Sequence, residues 1–69
     1  MDLDLHGVRH HEVDRLVENF IYCNQDQMPL KIICGNSTQM VSLVKEVANR
    51  IGCEMAMLNF GTIVIYRFV

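Results

Sequence analysis

Two helical stripes, each launched from a short apolar segment that ends in glycine, leave this chain few ways to fold. In the first stripe Val13, Leu16, Val17, Phe20 and Ile21 recur at i, i+3, i+4, i+7 and i+8, the spacing of an amphipathic helix. The second stripe runs through Met40, Leu43, Val44, Val47 and Ile51, at i, i+3, i+4, i+7 and i+11, again one face of a helix. Ahead of the first, Leu3 and Leu5 alternate with Asp4 and His6, which is the period of a strand, and Gly7 interrupts it. Ahead of the second, Leu30 to Cys34 is nearly all apolar, as in a strand of a covered sheet, and Gly35 ends it. The polar run from Asn24 to Pro29 stops the first helix and Gly52 stops the second. Cys53 to Leu58 and Thr62 to Phe68 then read as two strands joined by a tight turn at Asn59-Phe60-Gly61.

The resulting order is βαβαββ. Strand–helix–strand crossovers are right-handed, so both helices belong on one face of the sheet. The expected fold is α/β, a two-layer sandwich with a four-stranded mixed sheet and two helices on one face. The first three strands run parallel and the last returns antiparallel. Thr62-Ile63-Val64-Ile65-Tyr66 is the strongest β run and reads as an interior strand. Asp4 and His6 belong to the face away from the helices. Met55 and Met57 share one strand face, which is a contact surface if it is the open one. A chain of 69 residues holds one domain, residues 1–69, and buries only about 60% of its unfolded surface. Its core supplies roughly 3–5 kcal/mol, so self-association through a spare apolar face would add to it.

With 51% hydrophobic and 20% charged residues, the chain is globular rather than disordered. Six Lys and Arg against eight Asp and Glu give a net charge of -2. That balance disfavours broad electrostatic binding to nucleic acid and leaves a local patch at Arg9, His10 and His11. No apolar run reaches bilayer length and no basic-then-apolar leader is present, so no membrane partner is expected. Cys23, Cys34 and Cys53 are odd in number and lack framework spacing, which points to a reducing, cytoplasmic setting.

Gly7 and Gly35 each close a strand and open a helix, so both lie at the same end of the sheet. Two helix N-termini aim their unpaired N–H groups there, an arrangement that favours phosphate or another anion. Ligands of open α/β sheets also sit beyond the carboxyl ends of strands. Ser37 or Thr38 is the expected cap of the second helix.

Leu3-Asp4-Leu5-His6-Gly7 followed by an amphipathic helix resembles the opening motif of Smr domains, the small MutS-related nuclease modules. The βαβαββ order is similar to theirs, and to that of the C-terminal domain of the third bacterial translation initiation factor. The resemblance implies nucleic-acid cleavage by the acid and histidine of the first motif, here Asp4 and His6. It also implies a second, substrate-binding motif of His or Thr, Gly, a variable residue and Gly. Cys34-Gly35-Asn36-Ser37 corresponds to it, with the first glycine kept, Cys34 in place of the polar opener and Ser37 in place of the second glycine.

The implied chemistry is phosphodiester hydrolysis. A histidine exchanges protons near neutral pH and serves as general acid or base, the role given to His6, with Asp4 orienting its ring. Gly7, Arg9, His10, Gly35, Asn36 and Ser37 form the expected phosphate-binding set, the backbone N–H groups of Gly7, Gly35 and Asn36 among them. The function expected is a nucleic-acid-binding domain, an endonuclease cleaving RNA or nicking DNA. The alternative is a catalytically silent Smr-like adaptor that binds a protein, or a second copy, through the open sheet face. Asp4 and His6 are then solvent-side residues of an edge strand. The acidic balance and the altered second motif favour the alternative, and the intact Asp4-Leu5-His6-Gly7 favours cleavage.

His6 and His10 straddle the strand–helix junction, and no Cys or carboxylate is placed to complete a tetrahedral set. Neither a metal nor another cofactor is expected. Cys34 precedes a helix N-terminus, which lowers a thiol pKa, but a buried thiol is the default reading.

Overall fold

The computed structural model describes residues 1–68. The elements follow the expected order: β1 (Asp2–Asp4), α1 (His10–Cys23), β2 (Leu30–Ile33), α2 (Thr38–Ile51), β3 (Cys53–Asn59) and β4 (Thr62–Phe68). A single 3₁₀ turn, Gln25–Gln27, lies between α1 and β2. β1 stops two residues short of His6. The side chain of Asp4 is the cause: its Oδ1 accepts the backbone N–H of His6 at 2.9 Å and bends the chain. Leu5 still donates its N–H to the carbonyl of Ile33 at 2.9 Å, so it stays beside β2 while the chain turns.

Each helix ends where its sequence supplies partners for its free backbone groups. At the end of α1 the Asn24 side-chain amide donates to the carbonyl of Phe20 at 2.8 Å, and that of Gln25 to Tyr22 at 3.1 Å. α2 begins with Ser37, whose Oγ accepts the N–H of Met40 at 3.1 Å. It ends at Gly52, which takes the left-handed conformation (φ +92°) that glycine adopts at little cost.

The sheet order is β1-β2-β4-β3, with β1 and β2 parallel and β4 antiparallel to both of its neighbours. β1, β2 and β3 therefore share a direction and β4 opposes them, with β4 in the interior as expected. Both crossovers step the same way along the sheet, which sets α1 and α2 on one face. Between the layers Leu5, Leu30, Ile32, Ile63 and Ile65 meet Val13, Val17, Ile21, Val44 and Ala48, every one at most 1% exposed. Burying a Val, Leu or Ile in this way contributes about 1.5–3 kcal/mol. Among the described residues no polar or charged side chain is buried, so the interior is held by packing alone.

Outside the core, Arg50 in the last turn of α2 reaches α1. Its guanidinium donates to both carboxylate oxygens of Asp14 at 2.8 and 2.6 Å and to Glu18 at 2.9 Å. A second pair, Arg67 Nε to Glu54 at 2.6 Å, links β4 to β3.

The methionine face is not the open one. Met55 pairs with Ile65 and Met57 with Ile63, and both isoleucines are buried beneath the helices. The opposite face instead carries the cross-sheet row Asp2, Lys31, Val64 and Ala56 beside Asp4, Ile33 and Thr62. That face is mixed in character. Of the exposed large apolar side chains among the described residues, Met57, Leu58 and Phe60 lie on β3 and at its hairpin tip, while Met1, Tyr22 and Tyr66 lie elsewhere. Leu58 is the extra residue of a bulge in β3, and Tyr66 that of a bulge in β4. The two sheet edges differ sharply. β1 is three residues long with a carboxylate at each end, whereas β3 has seven residues and no charge after Glu54.

Candidate functional site

The strand order brings three turns to one end of the sheet. β1 and β2 finish there, and because β4 is interior and antiparallel, the β3–β4 hairpin turns back there too. The ring of His6 lies over Gly35, where an added β-carbon would meet Nδ1 at 3.8 Å. On Gly35's other side sits Gly61. A β-carbon on Gly61 would collide with the Gly35 carbonyl oxygen and stand 2.9 Å from its carbonyl carbon. Gly61 also accepts the N–H of Cys34 at 2.6 Å. Gly35 (φ +70°) and Gly61 (φ +90°) both occupy the left-handed region. Phe60 and Gly61 form a two-residue turn between Asn59 and Thr62, and the positive φ at the second central position alone is the type II pattern.

The expected site residues separate into distinct roles on this frame. His6 is exposed and stands at the junction, against Gly35. Asp4 is exposed beside it, but its carboxylate holds the backbone of His6 rather than the ring. Gly7 (φ +82°) completes the first turn with open space where a side chain would stand. Asn36 is exposed in the second turn, and the hydroxyl of Ser37 is committed to capping α2. Arg9 occupies the N-cap of α1 without making a side-chain cap, so the first N–H groups of that helix are not closed by its side chain. The structure thus joins His6, Gly7, Gly35 and Asn36 at the strand ends.

His10 lines something else. With Asp14, Leu43, Glu46, Val47 and Arg50 it borders a groove of about 180 Å³ between the helices, which shares no residue with the three turns. Arg50 holds the Asp14 carboxyl below the usual carboxylate range by hydrogen bonding and charge. The interhelical Arg50–Asp14 ion pair forms part of the wall of that groove.

Cys34 is buried, and burial pushes its thiol up, the reverse of what a nucleophilic cysteine needs. Gly61 is the contributor that sequence reasoning left out of the site. The signal was present in the interior position assigned to β4, which obliges its leading turn to lie beside the end of β2.

Among the described residues no group of three His, Cys, Asp or Glu side chains is gathered to hold a metal ion, and no helix is long and apolar enough to cross a membrane. No family model, curated protein or solved structure matches the chain.

Proposed function

We propose that the chain is an Smr-like nucleic-acid-binding domain whose phosphodiester site is the junction of His6, Gly7 and the Gly35-Asn36 turn. The observation that carries this reading is the seating of the His6 ring over Gly35. It joins the first motif to the remnant of the second, at the end of the sheet where both helices begin. A phosphate there would face backbone N–H groups and the partial positive charge of two helix N-termini, with Arg9 at the N-cap of α1.

Cleavage at this site rests on His6 as the proton-transferring group. The imidazole takes the proton of an attacking hydroxyl or water as the new O–P bond forms. The bond to the leaving oxygen breaks, and that oxygen is protonated by the imidazolium or by solvent. Asp4 is a positioning residue, fixing the backbone from which the ring projects. The free thiols of Cys23, Cys34 and Cys53 suit a reducing compartment, and the reading sets the protein in the cytoplasm.

A binding-only module is the second reading. It is favoured by the hydrogen bond that the Asp4 carboxylate accepts from the His6 backbone N–H, with no hydrogen bond from the imidazole to Asp4 among the described residues. The two readings separate when wild type and His6→Ala are incubated with structured RNA and with supercoiled DNA. Loss of cleavage in the variant, with binding retained, supports a nuclease. Equal cleavage by both proteins removes His6 from the mechanism. Binding without cleavage by either establishes the second reading, and absence of binding by the wild type overturns both.

A further inference from the structure

Phe60 is 64% exposed, more than any other large apolar side chain among the described residues, and it stands at the tip of the β3–β4 hairpin. Its exposure is not a by-product of a floppy loop. The turn has only two residues, it is flanked by the Asn59–Thr62 pair, and its next residue is pinned by the Cys34 N–H bond to Gly61. That same Gly61 is packed against Gly35, whose other side meets the His6 ring. An aromatic side chain is therefore presented from a fixed backbone, one residue from the place where the phosphodiester site is assembled.

We propose that Phe60 is a stacking platform for a base of single-stranded nucleic acid whose phosphate lies at the His6–Gly35 junction. The proposal rests on the nucleic-acid reading given above and narrows its substrate class. A duplex keeps its base faces stacked on one another, whereas a single strand offers them to an aromatic ring. Net charge does not supply the affinity. With a net charge of -2 the chain has little long-range attraction for a polyanion. Stacking adds affinity that does not depend on net charge, and every base has a face to stack.

The test uses the intact protein with two fluorescent probes, a short single-stranded RNA and a strand of the same length and backbone lacking its bases. Phe60→Ala is expected to weaken binding of the RNA roughly ten-fold or more, and Phe60→Tyr to keep it near wild type. Both variants are expected to bind the base-free strand as the wild type does. If Phe60→Ala binds the RNA as tightly as the wild type, stacking is overturned while the phosphate site stands. If it loses the base-free strand equally, the side chain supports the fold rather than a base, and the proposal again fails. Failure of the wild type to bind either strand overturns the nucleic-acid reading and this one with it. Far-UV circular dichroism of each variant confirms that the fold is kept.

Discussion

No β-carbon fits between Gly61 and Gly35. The hairpin tip and the β2–α2 turn touch through bare backbone, and the Cys34 N–H bond to Gly61 holds them there at 2.6 Å. Gly61→Ala is expected to destabilise the fold by more than the roughly 1–2 kcal/mol that a left-handed alanine alone costs, because the Gly35 carbonyl has to move as well. Gly7→Ala carries the conformational cost without the collision, since nothing lies within 4 Å of its added carbon. Urea denaturation of the two variants gives the comparison, with the midpoint falling further for Gly61→Ala. Equal shifts would show that the two turns do not depend on each other.

Ser37 offers a way to separate helix capping from anion binding. Ser37→Ala is expected to remove about 1 kcal/mol of stability through the lost bond to Met40, measured by thermal or urea unfolding. Ser37→Asp restores a cap and adds a negative charge beside the Gly35-Asn36 turn. It should therefore unfold close to wild type yet bind a single-stranded oligonucleotide more weakly.

Acid acts on the surface ion pairs. Arg50 depresses the pKa of Asp14, and Arg67 depresses that of Glu54, in each case chiefly by direct hydrogen bonding. A carboxylate whose folded pKa lies below its unfolded value stabilises the fold fully above the unfolded pKa, and that stability is lost as pH falls through the folded one. Stability from these pairs is thus expected to be flat near neutrality and to decline below about pH 4. All of these groups are solvent-exposed, so the decline is modest and shrinks further in high salt. Asp14→Asn should flatten the acid limb of a plot of unfolding midpoint against pH, and an unchanged limb would assign acid sensitivity to other groups.

The three thiols differ in access. Cys23 is exposed, while Cys34 and Cys53 are buried and have their thiols pushed up by burial. A thiol reagent at neutral pH is expected to label Cys23 quickly in the native protein and the other two only on unfolding. Mass spectrometry after timed quenching reads this directly. Early labelling at Cys34 would mean that the β2–α2 turn opens far below global unfolding.

The order of elements, the strand directions and the helix-facing core were legible because they follow from periodicity. A stripe at i, i+3, i+4 has one interpretation, and the Thr62–Tyr66 run suits the middle of a sheet. The length of β1 was not legible, because alternation from Leu3 to His6 continues in the sequence while the Asp4 side chain ends the strand by bonding backbone. Nor could alternation decide which way Met55 and Met57 face. That depends on their register against Ile65 and Ile63, which pairing and a bulge set. In the site, the meeting of His6 and Gly35 followed from two glycine turns at one sheet end. Gly61 joins them across 26 positions of sequence (61 − 35), through a contact defined by the lack of any side chain. His10 escaped the expected set because a helix start fixes where backbone N–H groups lie, not which flank a side chain takes.

The unequal edges give the sheet a direction of growth. Further strands are discouraged at β1, where Asp2 and Asp4 flank a three-residue ribbon, whereas β3 has no charged side chain after Glu54 and leaves its outward main-chain donors and acceptors without neighbours in its own sheet. For anyone splicing this domain into a larger protein, the two sides are not equivalent. A linker leaving near β1 passes an inert border, while one carrying an extended apolar segment past Ala56 and Met57 would find a template waiting. A single lysine in place of Met57 is the simplest way to close it.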